Sequence, residues 1–373
     1  MKPVFIIADN IVSPLGDTTA ANLDQLLSNV PGVQLHAAGD MSDTAFYASL
    51  FSPGKYSHNS TYTKFEQLLI ASISDALKQV SIDCSDRRTG LILSSTKGNI
   101  SLLETETPGN ALNERISLQH SAQLIAKHFQ FSTKPVVVSN ACISGLLAMI
   151  AGMRMIRAGI YDQVVVSGAD VITRFILSGF QSFQAVSASP CRPFDAARDG
   201  INLGEGAATV ILSSQKKSEG DIRISGGSVS NDANHISGPS RTGEELFQAI
   251  ARALKDAGVS AADIDFISAH GTATIYNDEM ESKAINLAGL QGVPVNSLKG
   301  FYGHTLGAAG LIESVAAIQS MKKELILPTP GFVNMGVTEP VNVCSSLLSK
   351  PSRHSLKTAS GFGGCNAALV LSK

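Results

Sequence analysis

Two spacings of apolar residues alternate along the chain. Residues 3–9 read as a buried opening strand, the turn Ser13-Pro14-Leu15-Gly16 breaks it, and 18–27 then shows helical spacing. Further helices are predicted at 64–80 and 117–129, with a strand at 90–94 between them. Val136, Val137 and Val138 form a β-branched run fit for a buried strand. From Leu146 the apolar positions recur at helical spacing through Leu147, Ile150 and Ile156, with Arg154 and Arg157 in the last turn and Gly159 closing it. A strand at 163–167 follows, and then a long loop through Ser189-Pro190-Cys191-Arg192-Pro193-Phe194-Asp195. Residues 29–62 are loop-rich, and the polar stretch 96–113 reads as a surface loop able to act as a lid.

One pattern occurs twice. Gly204-Glu205-Gly206-Ala207-Ala208-Thr209-Val210-Ile211, a glycine turn into a strand, returns as Gly364-Cys365-Asn366-Ala367-Ala368-Leu369-Val370-Leu371. Strand, glycine turn and helix also recur at a similar interval, at 138–142 and at 295–304. The repetition predicts a duplicated α/β unit, with halves at 1–215 and 221–373 packed as one body. Strands alternating with helices in both halves predict mixed, largely parallel sheets buried on both faces.

Composition narrows the function classes. The 373 residues are 44% hydrophobic and 16% charged, as in a globular protein with a large core. A net charge of −2 and the lack of any long Lys/Arg run exclude a general affinity for nucleic acid. No run of about 18 apolar residues occurs and the N-terminus lacks a cleavage-like segment, so no membrane insertion and a cytoplasmic location are expected. Five scattered cysteines without CxxC spacing point to a reducing compartment and no structural metal.

Cys142 is the candidate nucleophile. It falls at or just before a helix N-terminus, where unpaired N–H groups and the helix dipole should shift a thiol toward the thiolate. A lone cysteine there is ordinarily a small buried hydrophobe, so the case rests on three more stretches. Residues 266–274 read as a buried strand ending in His270, followed by a glycine turn with Thr272 and Thr274. Residues 296–310 carry Lys299 and His304 into a helix so rich in Gly and Ala that something must pack closely on it. Ser360-Gly361-Phe362-Gly363-Gly364 is a flexible turn before the last strand. Singly, a strand-end histidine is usually a satisfied structural residue, Lys299 a surface charge and Phe362 a core plug.

Together, NACISG, HGTAT, LKGFYGHTLGAAGLIE and GFGG resemble the β-ketoacyl-acyl-carrier-protein synthases, elongating condensing enzymes of thiolase-like fold. The resemblance runs from Ser13 to the final strand. It implies two α/β halves in a layered αβαβα arrangement, and decarboxylative condensation of an acyl group held on Cys142 with malonyl-acyl-carrier protein. It implies catalytic roles for Cys142, His270, His304, Lys299 and Glu313, with Lys299 and Glu313 paired to fix the histidines' protonation. Backbone N–H groups of Cys142 and Phe362 would form one oxyanion hole, the histidines would stabilise the enolate, and Phe362 would act as a gate. Thr272, Thr274 and Phe180 would contact substrate, and Arg192 to Ala208 would be structural. No resident cofactor or metal is implied, since phosphopantetheine arrives on the acyl carrier protein. A homodimer or a ketosynthase-type heterodimer is implied, with 136–139 and 164–167 at the interface.

The alternatives are a thiolase, which pairs its nucleophile with one histidine and a second cysteine, and a non-catalytic chain-length-factor subunit, which loses the cysteine. Cys365 stands where the synthases carry Thr and reads as a packing residue. A chain-initiating synthase would carry Asn in place of His304. The chain is also shorter than a typical relative, with little between His36 and Tyr62, and Gln184 stands where primary fatty-acid enzymes carry a basic residue. Aryl-polyene or type II polyketide elongation therefore fits as well as fatty-acid synthesis.

Overall fold

The computed structural model describes residues 2–56, 61–233 and 238–373, so 57–60 of the loop-rich stretch lie outside it. The first half supplies β1 (Phe5–Val12), β2 (Thr89–Ser94), β3 (Val136–Val138), β4 (Gln163–Asp170) and β5 (Gly206–Ser213). The second supplies β6 (Ile222–Asn231), β7 (Phe266–Ser268), β8 (Pro294–Asn296), β9 (Asn342–Val343), β10 (His354–Gly361) and β11 (Cys365–Ser372). All join one 11-stranded sheet in the order β9-β8-β7-β10-β11-β6-β1-β5-β4-β2-β3. Each half runs outward from its first strand through its last, so the two glycine–strand repeats occupy equivalent places as β5 and β11. The halves meet where β1 pairs β6, at Phe5 with Arg223 and Ile6 with Ile222.

The sheet is not largely parallel. From β10 across to β4 every pairing is antiparallel, and only β9-β8-β7-β10 and β4-β2-β3 are parallel. The reason is visible at β10 and β11, where Gly363 and Gly364 with φ of 85° and 75° close a tight hairpin instead of a helical crossover.

Among the described residues, eight helices of nine residues or more cover the sheet: α1 (Thr19–Leu27), α2 (Lys64–Lys78), α3 (Leu118–His128), α4 (Ser144–Arg157), α5 (Arg174–Ser182), α6 (Glu244–Ala257), α7 (Ile275–Leu287) and α8 (Ala309–Lys323). The central pair α4 and α8 packs between the two halves' strands, α2 with α3 lies outside the first half, and α6 with α7 outside the second, which gives five layers. The Gly and Ala content of α8 is explained at its crossing with α4. A Cβ on Gly145 would lie 2.8 Å from Gly307 O, and one on Gly310 would lie 2.6 Å from Leu146 N.

Three regions differ from the sequence reading. Residues 34–36 and 46–49 form short strands, joined by Leu203–Gly204 in a small separate sheet too brief to show a period. The helix α5 lies where a loop is predicted; Thr173 caps it by accepting from Ile176 N, and Phe175 faces out, which hides its amphipathic stripe. The 96–113 stretch is anchored and is no free lid. Buried Glu66, in the capping box of α2, accepts from Arg115 at 2.5 Å, Asn99 at 3.0 Å and Ser121 at 2.8 Å, so both ends of the stretch are tied to α2.

The valines of β3 form the edge of the sheet and are half-exposed, whereas β4 is flanked by β5 and β2 with Val164–Ser167 fully buried. Of the two segments expected at the interface, 136–139 and 164–167, β3 is the one that offers a sheet edge to a second subunit.

Candidate active site

The nucleophile's position is set by a strained turn. Ala141 adopts a φ of 42°, Ser144 Oγ accepts from Asn140 N at 2.8 Å and donates to Ala141 O at 2.6 Å, and α4 begins at Ser144. Cys142 thus precedes the helix by two residues and does not sit on its first turn. Its sulfur receives the Phe362 N–H and lies 3.1 Å from His304 Nε2. Behind it, a Cβ on Gly361 would lie 2.9 Å from the Cys142 nitrogen, so only glycine lets the gate turn approach.

The expected thiolate is overturned. Burial pushes the Cys142 thiol up to about 12, nearby Cys365 and Asp170 add to it, and Lys299 and the Phe362 N–H oppose it. The desolvation cost outweighs a dipole whose helix starts two residues away.

His270 and His304 complete the centre, their rings 5.2 Å apart and nearly perpendicular at 82°. Burial, then Lys299, holds both well below the ordinary histidine value, with Lys357 adding to it, so both imidazoles are neutral at physiological pH. Among the described residues, the buried Nδ1 of each ring has no hydrogen-bond partner. A buried N–H without an acceptor costs more than a bare lone pair, so the proton belongs on Nε2. Among the described residues, Cys142, His270 and His304 are also the one set with metal-ligand spacing, donor atoms within 4.8 Å of one another. The Cys142–His304 contact is a direct hydrogen bond, and zinc bound at about 2.0–2.3 Å would hold such a pair about 3.5 Å apart.

Charged groups lie beneath. Lys299, 1% exposed, donates to His270 O at 3.0 Å and pairs with Glu313. His304 is cradled by the Arg192 to Ala208 stretch, its N–H donating to Asn202 O at 2.7 Å and its carbonyl accepting from Gly204 N at 3.0 Å.

Four supporting residues went unread in the sequence. Glu281 accepts from the amides of His270 and Gly271 at 2.8 and 2.7 Å. Asp278, pushed by burial up to about 6, accepts from those of Thr272 and Phe194 at 2.9 and 2.7 Å. Asp170 accepts from Gly307 N at 2.7 Å and from Ser95 Oγ at 2.7 Å. Lys357 pairs with Glu313 at 2.7 Å. Their signals were a carboxylate closing the apolar run of β4, two acids three residues apart after HGTAT, and a lysine in the middle of β10, the strand before the last.

A cavity of roughly 370 Å³ opens above this centre, lined among others by Cys142, His270, His304, Thr272, Thr274 and Phe180. Thr272 and Thr274 bond to each other through their hydroxyls at 2.9 Å. Phe362, 38% exposed, stacks on Phe180 at 5.7 Å and meets the edge of Phe183 at 5.6 Å, an aromatic cluster at the mouth. Glu313 and Lys299 lie outside the lining and act only through their neighbours. Cys365 is also outside it, and its thiol donates to Phe362 O at 3.4 Å.

The family models agree with this layout: "Beta-ketoacyl synthase, N-terminal domain" matches residues 1–218 and "Beta-ketoacyl synthase, C-terminal domain" matches 222–333. The chain belongs to the β-ketoacyl synthase family. A 3-oxoacyl-[acyl-carrier-protein] synthase 2 of Vibrio cholerae is 27% identical, over 100% of this chain and 99% of that protein. The Rhizobium meliloti protein of the same name is 35% identical over 63% of this chain and 59% of its own length. Among solved structures, the ishigamide ketosynthase/chain length factor superposes with a TM-score of 0.89 at 26% identity, covering 100% and 99% of the two chains. A chain of the complex between the ketosynthase ApeO and its chain length factor ApeC from Xenorhabdus doucetiae gives 0.84 at 26%, covering 100% and 98%. This β-ketoacyl synthase is accordingly an acyl-transferring, carbon–carbon bond-forming enzyme.

Proposed function

We propose that the synthase condenses an acyl group carried on Cys142 with malonyl-acyl-carrier protein. The observation that carries this assignment is the convergence of one thiol and two neutral imidazoles at the base of one cavity. In the first half-reaction the Cys142 sulfur attacks the incoming acyl thioester, the amides of Cys142 and Phe362 hold the oxyanion, and the thiol proton leaves on the departing pantetheine sulfur. The sulfur carries negative charge as it attacks, when His304 Nε2–H donates to it and the Phe362 N–H passes from the resting sulfur to the forming oxyanion. Acylation releases His304 Nε2–H for the second half-reaction. Malonyl-carrier then loses carbon dioxide, the enolate oxygen accepts from the two histidines, and the carbanion attacks the acyl carbonyl. Collapse of that adduct breaks the bond to Cys142, whose thiolate takes up a proton from solvent to restore the thiol, and gives the β-ketoacyl-carrier product.

The partner in this reading is an acyl carrier protein, with phosphopantetheine brought by it and no resident cofactor or metal. Thr272, Thr274 and Phe180 line its path. The neighbours named above include ketosynthases paired with chain length factors, and the half-exposed β3 edge fits a homodimer or such a heterodimer. No helix among the described residues is long and apolar enough to cross a membrane, which agrees with a cytoplasmic enzyme of fatty-acid, aryl-polyene or polyketide elongation.

The test separates the half-reactions by measuring carbon dioxide release and intact-mass acylation. Cys142→Ala abolishes condensation and keeps malonyl decarboxylation. His304→Ala retains acylation of Cys142 through the Phe362 N–H, while decarboxylation falls by roughly 10²–10³ for a lost oxyanion donor. Equal loss of both activities in folded His304→Ala would make that histidine a base for the cysteine and refute the division.

A further inference from the structure

Lys357 lies in the middle of β10 with its whole side chain buried, at 0% exposure. Four oxygens surround its nitrogen: the Glu313 carboxylate at 2.7 Å and the carbonyls of Ser268 at 3.1 Å, Ala269 at 3.1 Å and Thr358 at 2.8 Å. A neutral amine would offer two hydrogens and turn a lone pair on an oxygen, so this site holds an ammonium. Lys299 takes the other oxygen of Glu313 and the carbonyl of His270. Three successive carbonyls where β7 ends, those of Ser268, Ala269 and His270, are thus each held by one of two ammoniums that share a single carboxylate. On the amide side of the same turn, Glu281 takes the N–H groups of His270 and Gly271 and also the Thr358 hydroxyl beside Lys357, at 2.6 Å. A buried carboxylate needs one partner, and the second lysine leaves the Lys299–Glu313–Lys357 cluster with an excess positive charge.

We propose that Lys357 is a positioning residue for the condensation: by fixing the end of β7 together with Lys299, it holds His270 where its imidazole can donate to the enolate. The proposal rests on the reading of the two histidines as enolate donors. The titratable groups packed around the rings are Cys142 from the first half, Lys299 and Tyr302 from the turn before His304, Glu313 from α8, Lys357 from β10, and Glu281 from α7. Asp170 and Asp278 hold the amides of the adjoining turns. Of these, Lys299 and Lys357 push both histidines toward the neutral form, and burial acts in the same direction. Removing the Lys357 charge therefore lets the rings protonate at a higher pH than in the parent.

The experiment follows malonyl-carrier decarboxylation against pH, with Cys142 acylation measured alongside, for Lys357→Met, Lys357→Arg and His270→Ala. In Lys357→Met, kcat falls by roughly 10²-fold, as a misplacement of about 1 Å can produce, with KM and acylation little changed and the acid limb of the profile displaced to higher pH. Lys357→Arg keeps the charge but cannot reproduce the compact set of carbonyl bonds, so its kcat falls while its acid limb stays in place. A uniform loss across pH that tracks the folded fraction by circular dichroism, or parent-like kcat in both lysine variants, overturns the proposal. If Lys357→Met does not fold, Lys357→Arg decides by the same kcat criterion. A His270→Ala enzyme that decarboxylates like the parent removes the donor reading and this proposal with it. Loss in His270→Ala beside full activity in the lysine variants removes this proposal alone.

Discussion

The two halves of the molecule share a topology and solve opposite problems at equivalent strand ends. The turn at Cys142 in the first half is built by close packing: a left-handed Ala141, Gly361 of the second half behind the cysteine nitrogen, and a helix crossing tight enough to exclude a methyl group. The charges nearest the sulfur belong to other elements. In the second half the turn at His270 rests on buried ions, with Glu281, Asp278, Lys299, Glu313 and Lys357 all holding backbone or one another, and the same lysines tune His304. Geometry places the nucleophile, and charge places and tunes the donors. A duplicated unit can therefore diverge into two chemical roles without altering its strand order.

That contrast can be broken experimentally. The largest effect belongs to the ionic half. Glu313→Ala strands two buried ammoniums and should destabilise the fold by about 3–5 kcal/mol, read as a lowered urea midpoint, with partial recovery in a Glu313→Ala, Lys357→Met double variant. Additive losses in the double variant would show that the lysines do not depend on Glu313. A smaller effect belongs to the packed half. Gly145→Ala, in an exposed helix worth about 1 kcal/mol of gain, should here cost about 1–3 kcal/mol because its methyl meets Gly307 O and Leu311 N. Thermal unfolding that moves upward instead would mean that the crossing relaxes freely. The smallest change is in pH dependence alone. With the Cys142 thiol pushed up to about 12, its alkylation by iodoacetamide should keep accelerating through pH 10 and be blocked by prior acylation. A plateau near pH 8 would place a resting thiolate at the site and return weight to the helix terminus.

The sequence made some of this legible. Strand, turn and helix around Cys142 could be read because valine runs, helical spacing and glycine punctuation are local signals, and the paired Gly-x-Gly-Ala-Ala and Gly-Cys-Asn-Ala-Ala segments revealed the duplication. The antiparallel centre of the sheet was not, since a strand's direction depends on partners distant along the chain. Lys357, Glu281 and Asp278 escaped notice for the same reason, because their partners are mostly backbone groups that no residue type announces. The state of the Cys142 thiol was misread because the helix position is local information and the desolvation of the sulfur is not.

The half-exposed edge strand Val136–Val138 also matters at the bench. Three β-branched residues with unpaired backbone groups form a template for adventitious strand addition, four residues from the nucleophile's own position. Overproduction of the chain alone should therefore favour insoluble material unless its own copies cover that edge, and the soluble yield on co-production with candidate subunits becomes a direct screen for the natural mate.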